Sequence, residues 1–231
     1  MRFVLRLVLW TLVLAATAVL LVQLWFFAQI LWWRAFDPSD TAFMRARLER
    51  MQAKDPKARL AQVWTPYARI SVHLKRAVVA AEDAKFIEHA GFDWEAIQKA
   101  IEKNERRGRV VSGASTISQQ LAKNLFLSGE RSYVRKGQEA VLAWMLETAL
   151  PKQRILELYL NFAEWGDGVF GAEAAARHHF GIPAAALGPT QAAWLAVILP
   201  SPRRYSRGQM TPYIAGRTEV ILGRMNAVRV P

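Results

Sequence analysis

Ala80-Ala-Glu-Asp-Ala-Lys-Phe-Ile-Glu-His-Ala-Gly91, followed by Gly113-Ala-Ser-Thr-Ile-Ser-Gln-Gln-Leu-Ala-Lys-Asn124, is the stretch on which the reading of this chain turns. Its first half closes a segment that begins at Ser71, in which Leu74, Val78, Glu82 and Phe86 recur four residues apart. That spacing stacks side chains on one face of a helix and predicts a helix over 71–88, with Glu82 between apolar neighbours. Asp83 is flanked in the same way by Val79 and Ile87, so the periodicity nominates both carboxylates without choosing between them. A carboxylate taken out of water gains proton affinity, which prepares it for proton transfer. The plainer alternative is a carboxylate solvated at the helix end, paired with Lys85 or Arg76.

In the second half, Ser115, Gln119 and Lys123 form one helical row, Thr116, Gln120 and Asn124 the next, and Ile117, Leu121 and Leu125 a buried one. The polar face is neutral apart from one cation and rich in amide donors and acceptors, which suits sugar hydroxyls; a solvated face is the competing reading. Thr116 and Gln119 also have the spacing of a capping box.

Outward from this stretch, helical spacing continues almost throughout. Helices are predicted at 93–107, 115–127, 132–149, 152–162, 169–179, 189–199 and 212–226, with a shorter one capped by Asp40 and running through Met51. Asp93 is an N-cap, Gly108 a C-terminal stop, and Pro151 a first-turn residue. No segment alternates at period two. The expected fold class is mainly α, with at most a small hairpin besides.

Toward the N-terminus, Leu7 to Trp33 carries no charged residue. At about 1.5 Å per residue such a helix is roughly 40 Å long, against about 30 Å of bilayer hydrocarbon. A cleavable signal has a shorter apolar core that ends in small residues, whereas Ala15-Ala-Thr-Ala18 lies in mid-run, so the segment reads as an uncleaved transmembrane anchor. Trp25, Phe26, Phe27, Trp32 and Trp33 suit a membrane–water interface. Arg2 and Arg6 on one side, and Arg34, Arg45, Arg47 and Arg50 on the other, leave orientation undecided by charge. The expected division is a 1–6 tail, a 7–33 anchor, a 34–63 stalk and a folded domain over 64–231.

The net charge is +12 over 231 residues, which favours an anionic bilayer, a phosphate-bearing substrate or nucleic acid without choosing among them. The absence of cysteine excludes disulfides, thiolate metal sites and a cysteine nucleophile. Arg131-Ser-Tyr-Val-Arg-Lys-Gly-Gln-Glu139 sets three cations before a carboxylate, either as local helix pairs or as a cradle for a phosphate leaving group. Gly166-Asp-Gly-Val-Phe-Gly171 has the spacing of a dinucleotide fingerprint, but it follows a helical pattern rather than a strand. His178 and His179 are adjacent and diverge by about 100° on a helix, so they do not make a metal pair.

Five stretches, in order, resemble the peptidoglycan glycosyltransferases of glycosyltransferase family 51, and within it the monofunctional biosynthetic peptidoglycan transglycosylases. They are Ala81–Phe86 with His89-Ala-Gly91, Gly113–Asn124, Arg135–Glu139, Arg154-Ile-Leu-Glu-Leu-Tyr-Leu-Asn161, and Gly171–Ala176 with Phe180-Gly181. The resemblance spans about Trp64 to Met225. It implies a lysozyme-like helical domain, behind its membrane anchor, that polymerises lipid II. Glu82 would be the general base, which resolves the tie with Asp83. It would take the proton of the acceptor 4-hydroxyl as that oxygen attacks the donor's anomeric carbon, with inversion and loss of undecaprenyl diphosphate. Glu139 matches the family's second glutamate, near the diphosphate, where basic residues, Mg²⁺ or another divalent cation would offset its charge.

By the same resemblance Ser115, Gln119, Gln120 and Lys123 contact sugar and phosphate, Arg131, Arg135 and Lys136 surround the leaving group, and Asp83, Phe86 and His89 support the site. Glu82 and Glu139 are expected to face one cleft, with Lys123 and Arg131 between them or at its rim. Lipid II, the nascent glycan strand and membrane lipids are the implied partners, with cell-division or cell-elongation proteins as further candidates; nucleic acid is not one. The implied location is the cytoplasmic membrane, N-terminus inside and catalytic domain outside. The chain ends at Pro231, so glycan polymerisation without transpeptidation is expected. A glycan-cleaving enzyme with Glu82 as general acid, and a non-enzymatic basic membrane protein, are the rivals.

Overall fold

The computed structural model describes residues 1–109, 113–127, 132–205 and 210–231. The chain forms two compact units, Met1–Pro38 and Ser39–Pro231. The first is built on helix α1 (Arg2–Trp32), whose run of Leu, Val and Trp makes it long and apolar enough to cross a membrane. At its end the Phe36 ring stacks on Trp32, with centroids 4.0 Å apart.

The second unit contains nine helices among the described residues: α2 (Ala42–Gln52), α3 (Val72–Glu82), α4 (Trp94–Arg107), α5 (Ile117–Phe126), α6 (Tyr133–Ala149), α7 (Lys152–Phe162), α8 (Ala172–Phe180), α9 (Pro189–Ile198) and α10 (Pro212–Met225). Helix α3 packs against α9 and α10, while α5 packs against α2, α6 and α7. The Leu74–Val78 row of α3 and the Ile117–Leu121–Leu125 row of α5 are buried, as their spacing predicts.

A small sheet joins strands β1 (Ala61–Gln62), β2 (Glu164–Gly166) and β3 (Val169–Phe170) in the order β1-β3-β2. Strand β1 runs parallel to β3, and β2 and β3 form a hairpin. The fingerprint-like glycines lie across this hairpin, and α8 starts at Ala172 rather than at 169. Gly171 makes the turn at φ +83°, where a Cβ would come within 2.8 Å of the Asn161 carbonyl oxygen.

Three expectations change. The stalk predicted at 34–63 is, from Ser39 on, part of the second unit, because α2 packs on α5, Arg47 bonds Glu164 at 3.0 Å and β1 joins the sheet. Helix α2 is capped by Thr41, whose hydroxyl accepts from the Met44 amide at 3.1 Å, and Asp40 pairs with Arg45 instead. Helix α3 stops at Glu82 rather than at 88, since Asp83 leaves the helical region at φ −162° and ψ 72°. Phe86 therefore does not extend the Glu82 row, although it is fully buried.

Candidate active site

Glu82 is the last residue of α3 and lies partly buried against α5. The Gln120 side-chain amide donates to its Oε2 at 2.7 Å. The Tyr159 hydroxyl, on α7, donates in turn to Gln120 Oε1 at 2.9 Å. Burial raises the Glu82 pKa above the ordinary carboxylate value, and Asp83 adds to the rise, while the Gln120 hydrogen bond and the nearby Lys123 ammonium oppose it. A cleft of about 730 Å³ opens beside this group, lined by Gln120, Lys123, Asn124 and Tyr159, by Glu164, and by Arg50, Arg203 and Arg204 at further edges.

Asp83 does a different job. Its Oδ2 accepts from the amide of Ile117, the first residue of α5, at 3.0 Å, and its Oδ1 meets His89 Nε2 at 2.8 Å. The Gly91 amide donates to His89 Nδ1 at 3.2 Å, so the imidazole proton sits on Nε2 and is donated to Asp83. The Thr116 hydroxyl donates to the Gly91 carbonyl at 2.7 Å. A carboxylate at a helix N-terminus satisfies an otherwise orphaned donor and the helix dipole together. Asp83 thus ties the end of α3 to the start of α5, which fixes Glu82 opposite Gln120.

The capping box is present. The Thr116 hydroxyl accepts from the Gln119 amide at 3.3 Å, and Gln119 Oε1 accepts from the Thr116 amide at 3.0 Å. Gln119 is buried, as are Thr116 and Asn124, so the polar rows of α5 are not the open face that their composition suggests. Gln120 and Lys123 are the members of those rows that reach the cleft together with Asn124.

The second carboxylate stands elsewhere. Glu139 is buried on α6 between Arg135, whose guanidinium is 3.5 Å from Oε2, and Lys136, which bonds Oε1. The Lys136 ammonium also donates to the exposed Ser115 hydroxyl at 3.3 Å, just before α5. Ser115, Arg135, Lys136 and Glu139 therefore form one cluster; among the described residues, neither they nor Glu82 are among the side chains that line the cleft bounded by Gln120, Lys123 and Tyr159. Arg131 lies outside the described residues. Among the described residues no three His, Asp or Glu side chains gather as metal ligands, and the cations around Glu139 balance its charge. Glu139 would be the protein's carboxylate for a divalent ion there, with substrate phosphate supplying the further oxygens.

Phe86 and His89 underpin the loop after α3. The Lys152 ammonium sits 4.4 Å from the Phe86 ring centroid, donates to the His89 carbonyl at 2.6 Å and bonds Glu147 at 2.8 Å. Ser118 also bonds Glu147, joining α5 and α6. Tyr159, Lys152 and Glu147 are missed by sequence reasoning. Tyr159 lies inside the quoted Arg154–Asn161 stretch, and its polar group in an otherwise apolar helix row was the available signal. Asn161, from the same stretch, bonds the Thr65 amide and carbonyl at 2.8 and 3.0 Å and is structural. His179 bonds the Trp165 carbonyl at 2.8 Å, so it serves packing and not a metal.

A model of the transglycosylase family matches residues 49–226. The chain belongs to the transglycosylase family. The match runs from within α2 to just beyond α10 and encloses both carboxylate clusters. Over 219 residues, 94% of each chain, this transglycosylase is 60% identical to a protein of Azoarcus sp. (strain BH72) named biosynthetic peptidoglycan transglycosylase. It is 55% identical over 231 residues, all of both chains, to one of the same name from Janthinobacterium sp. (strain Marseille). A third, from Bordetella pertussis, is 57% identical over 216 residues, 92% of this chain and 89% of the relative. As a transglycosylase with a lysozyme-like helical domain, the chain is a glycosyltransferase of peptidoglycan synthesis.

Proposed function

We propose that this protein polymerises lipid II into glycan strands from the outer face of the cytoplasmic membrane, with Glu82 as general base. The observation that carries the reading is Glu82 itself: a partly desolvated carboxylate near Lys123, hydrogen-bonded by Gln120, which lines the polar cleft together with Lys123, in a chain of the transglycosylase family. The Glu82 carboxylate takes the proton of the acceptor 4-hydroxyl as its oxygen forms the new bond to the donor's anomeric carbon. The bond to undecaprenyl diphosphate breaks, and the configuration inverts from α to β. Raised proton affinity suits this step, because a base must hold the proton it removes.

Lys123, from the cleft, and Arg135 with Lys136, from the second cluster, offset charge on the diphosphate as it leaves. Glu139 holds Arg135 and Lys136 in place. The apolar α1 supports a membrane-anchored enzyme acting on a lipid-linked substrate, N-terminus inside, and division or elongation proteins are the partner class for the assembled strand.

Labelled lipid II and finished glycan, offered separately to the purified full-length protein in detergent or vesicles, distinguish polymerisation from cleavage. Polymer from lipid II is expected; shortening of finished glycan without such polymer would overturn the reading.

A further inference from the structure

Gln120 faces two ways, and only one orientation of its amide serves a carboxylate base. With Nε2 toward Glu82 it donates to the ionised form; flipped, it would present an oxygen that only a protonated Glu82 could satisfy. What selects between these is the group on its other side. Tyr159 is 2% exposed, and burial raises its phenol pKa well above the ordinary value, with Glu82 and Asp83 adding to the rise. It therefore keeps its proton and donates it to Gln120 Oε1 at 2.9 Å.

We propose that Tyr159 is a positioning residue: by donating to Gln120 Oε1, its hydroxyl favours the amide orientation that points Nε2 at Glu82 and so supports the ionised base. The geometry is a relay from α7 through α5 to α3, with steps of 2.9 and 2.7 Å. Other charged groups around Glu82 do not supply this selection. Lys123 on α5 acts through space, Asp83 on α3 opposes, and Arg50, Arg203, Arg204 and Glu164 stand around the cleft. Helix α9 carries no titratable residue, and Tyr213, Arg217, Glu219 and Arg224 of α10 are exposed. The inference rests on the Glu82 assignment above and adds what tunes it.

Tyr159→Phe keeps the ring and removes the donor. Once the amide is free to turn, Glu82 holds its proton more tightly. The acid limb of kcat/KM for lipid II should move to higher pH, so that activity at the acid end falls roughly three- to tenfold more than at the alkaline end. A purely structural role would instead lower activity evenly across pH. Carbon-13 titration of the Glu82 carboxyl, assigned by its loss in Glu82→Gln, reads the same effect without turnover, and its midpoint should rise in Tyr159→Phe. Gln120→Ala should raise it too, and adding Tyr159→Phe to Gln120→Ala should raise it no further. An unmoved midpoint in folded Tyr159→Phe, or in Gln120→Ala should the first variant not fold, overturns the proposal. Normal polymerisation by Glu82→Gln would instead overturn the base assignment, while the titration would still report on the relay.

Discussion

Two carboxylates flank α5, and their surroundings differ in kind. Glu82 meets a neutral amide on one oxygen, and that amide is held by a phenol; Lys123 and Asp83 act on it from nearby. Glu139 meets a guanidinium on one oxygen and an ammonium on the other. The first environment leaves a carboxylate with a raised proton affinity and a lone pair toward chemistry; the second occupies the carboxylate with cations and uses it to hold them. Same side chain, same helix neighbour: partners and burial assign one to moving a proton and the other to organising charge.

Substitution of Glu82 has the largest expected effect. Glu82→Gln keeps the shape and the Gln120 contact, and should lower lipid II turnover by about 10²- to 10⁴-fold, the usual worth of a general base, with the circular dichroism unchanged. Lys123→Ala removes a cation from the cleft and should cost on the order of 10²–10³ in kcat, as for loss of a transition-state donor; unchanged kinetics with lipid II would remove it from the site. Glu139→Gln should cost about tenfold, through loosened Arg135 and Lys136, and should leave the acid limb of the pH profile where it is. A moved limb would mean that Glu139, too, exchanges protons in turnover.

The smallest effect is on stability. The Glu82 pKa is raised in the fold, so its ionised form costs stability above that raised value and the cost vanishes as acid protonates it. Glu82→Gln should therefore melt above wild type at alkaline pH, by a margin that closes on acidification; thermal melts at both ends of the range check the sign.

Those local environments were only partly written in the sequence. The Thr116–Gln119 capping box was legible because both partners lie within one turn, and the buried Ile117–Leu121–Leu125 row was legible because it repeats at helical spacing. The end of α3 was not: apolar spacing continues through Phe86, and what turns the chain at Asp83 is its bond to Ile117, 34 residues on. Tyr159 reaches Gln120 across 39 residues, a relation no local pattern carries. Strands of two or three residues are too short to show alternation, which hid the sheet and let 34–63 pass for a stalk. The choice of Glu82 over Asp83 came from family resemblance; the geometry supplies a physical reason, since Asp83 is occupied at both oxygens by Ile117 and His89.

The most direct test is the pH dependence of lipid II polymerisation by wild type and Glu82→Gln, measured side by side on folded protein. Wild type should show an acid limb that disappears in the variant, leaving a low rate with little pH dependence. Normal turnover by Glu82→Gln, or the same acid limb in its residual activity, would contradict the role of Glu82 as general base.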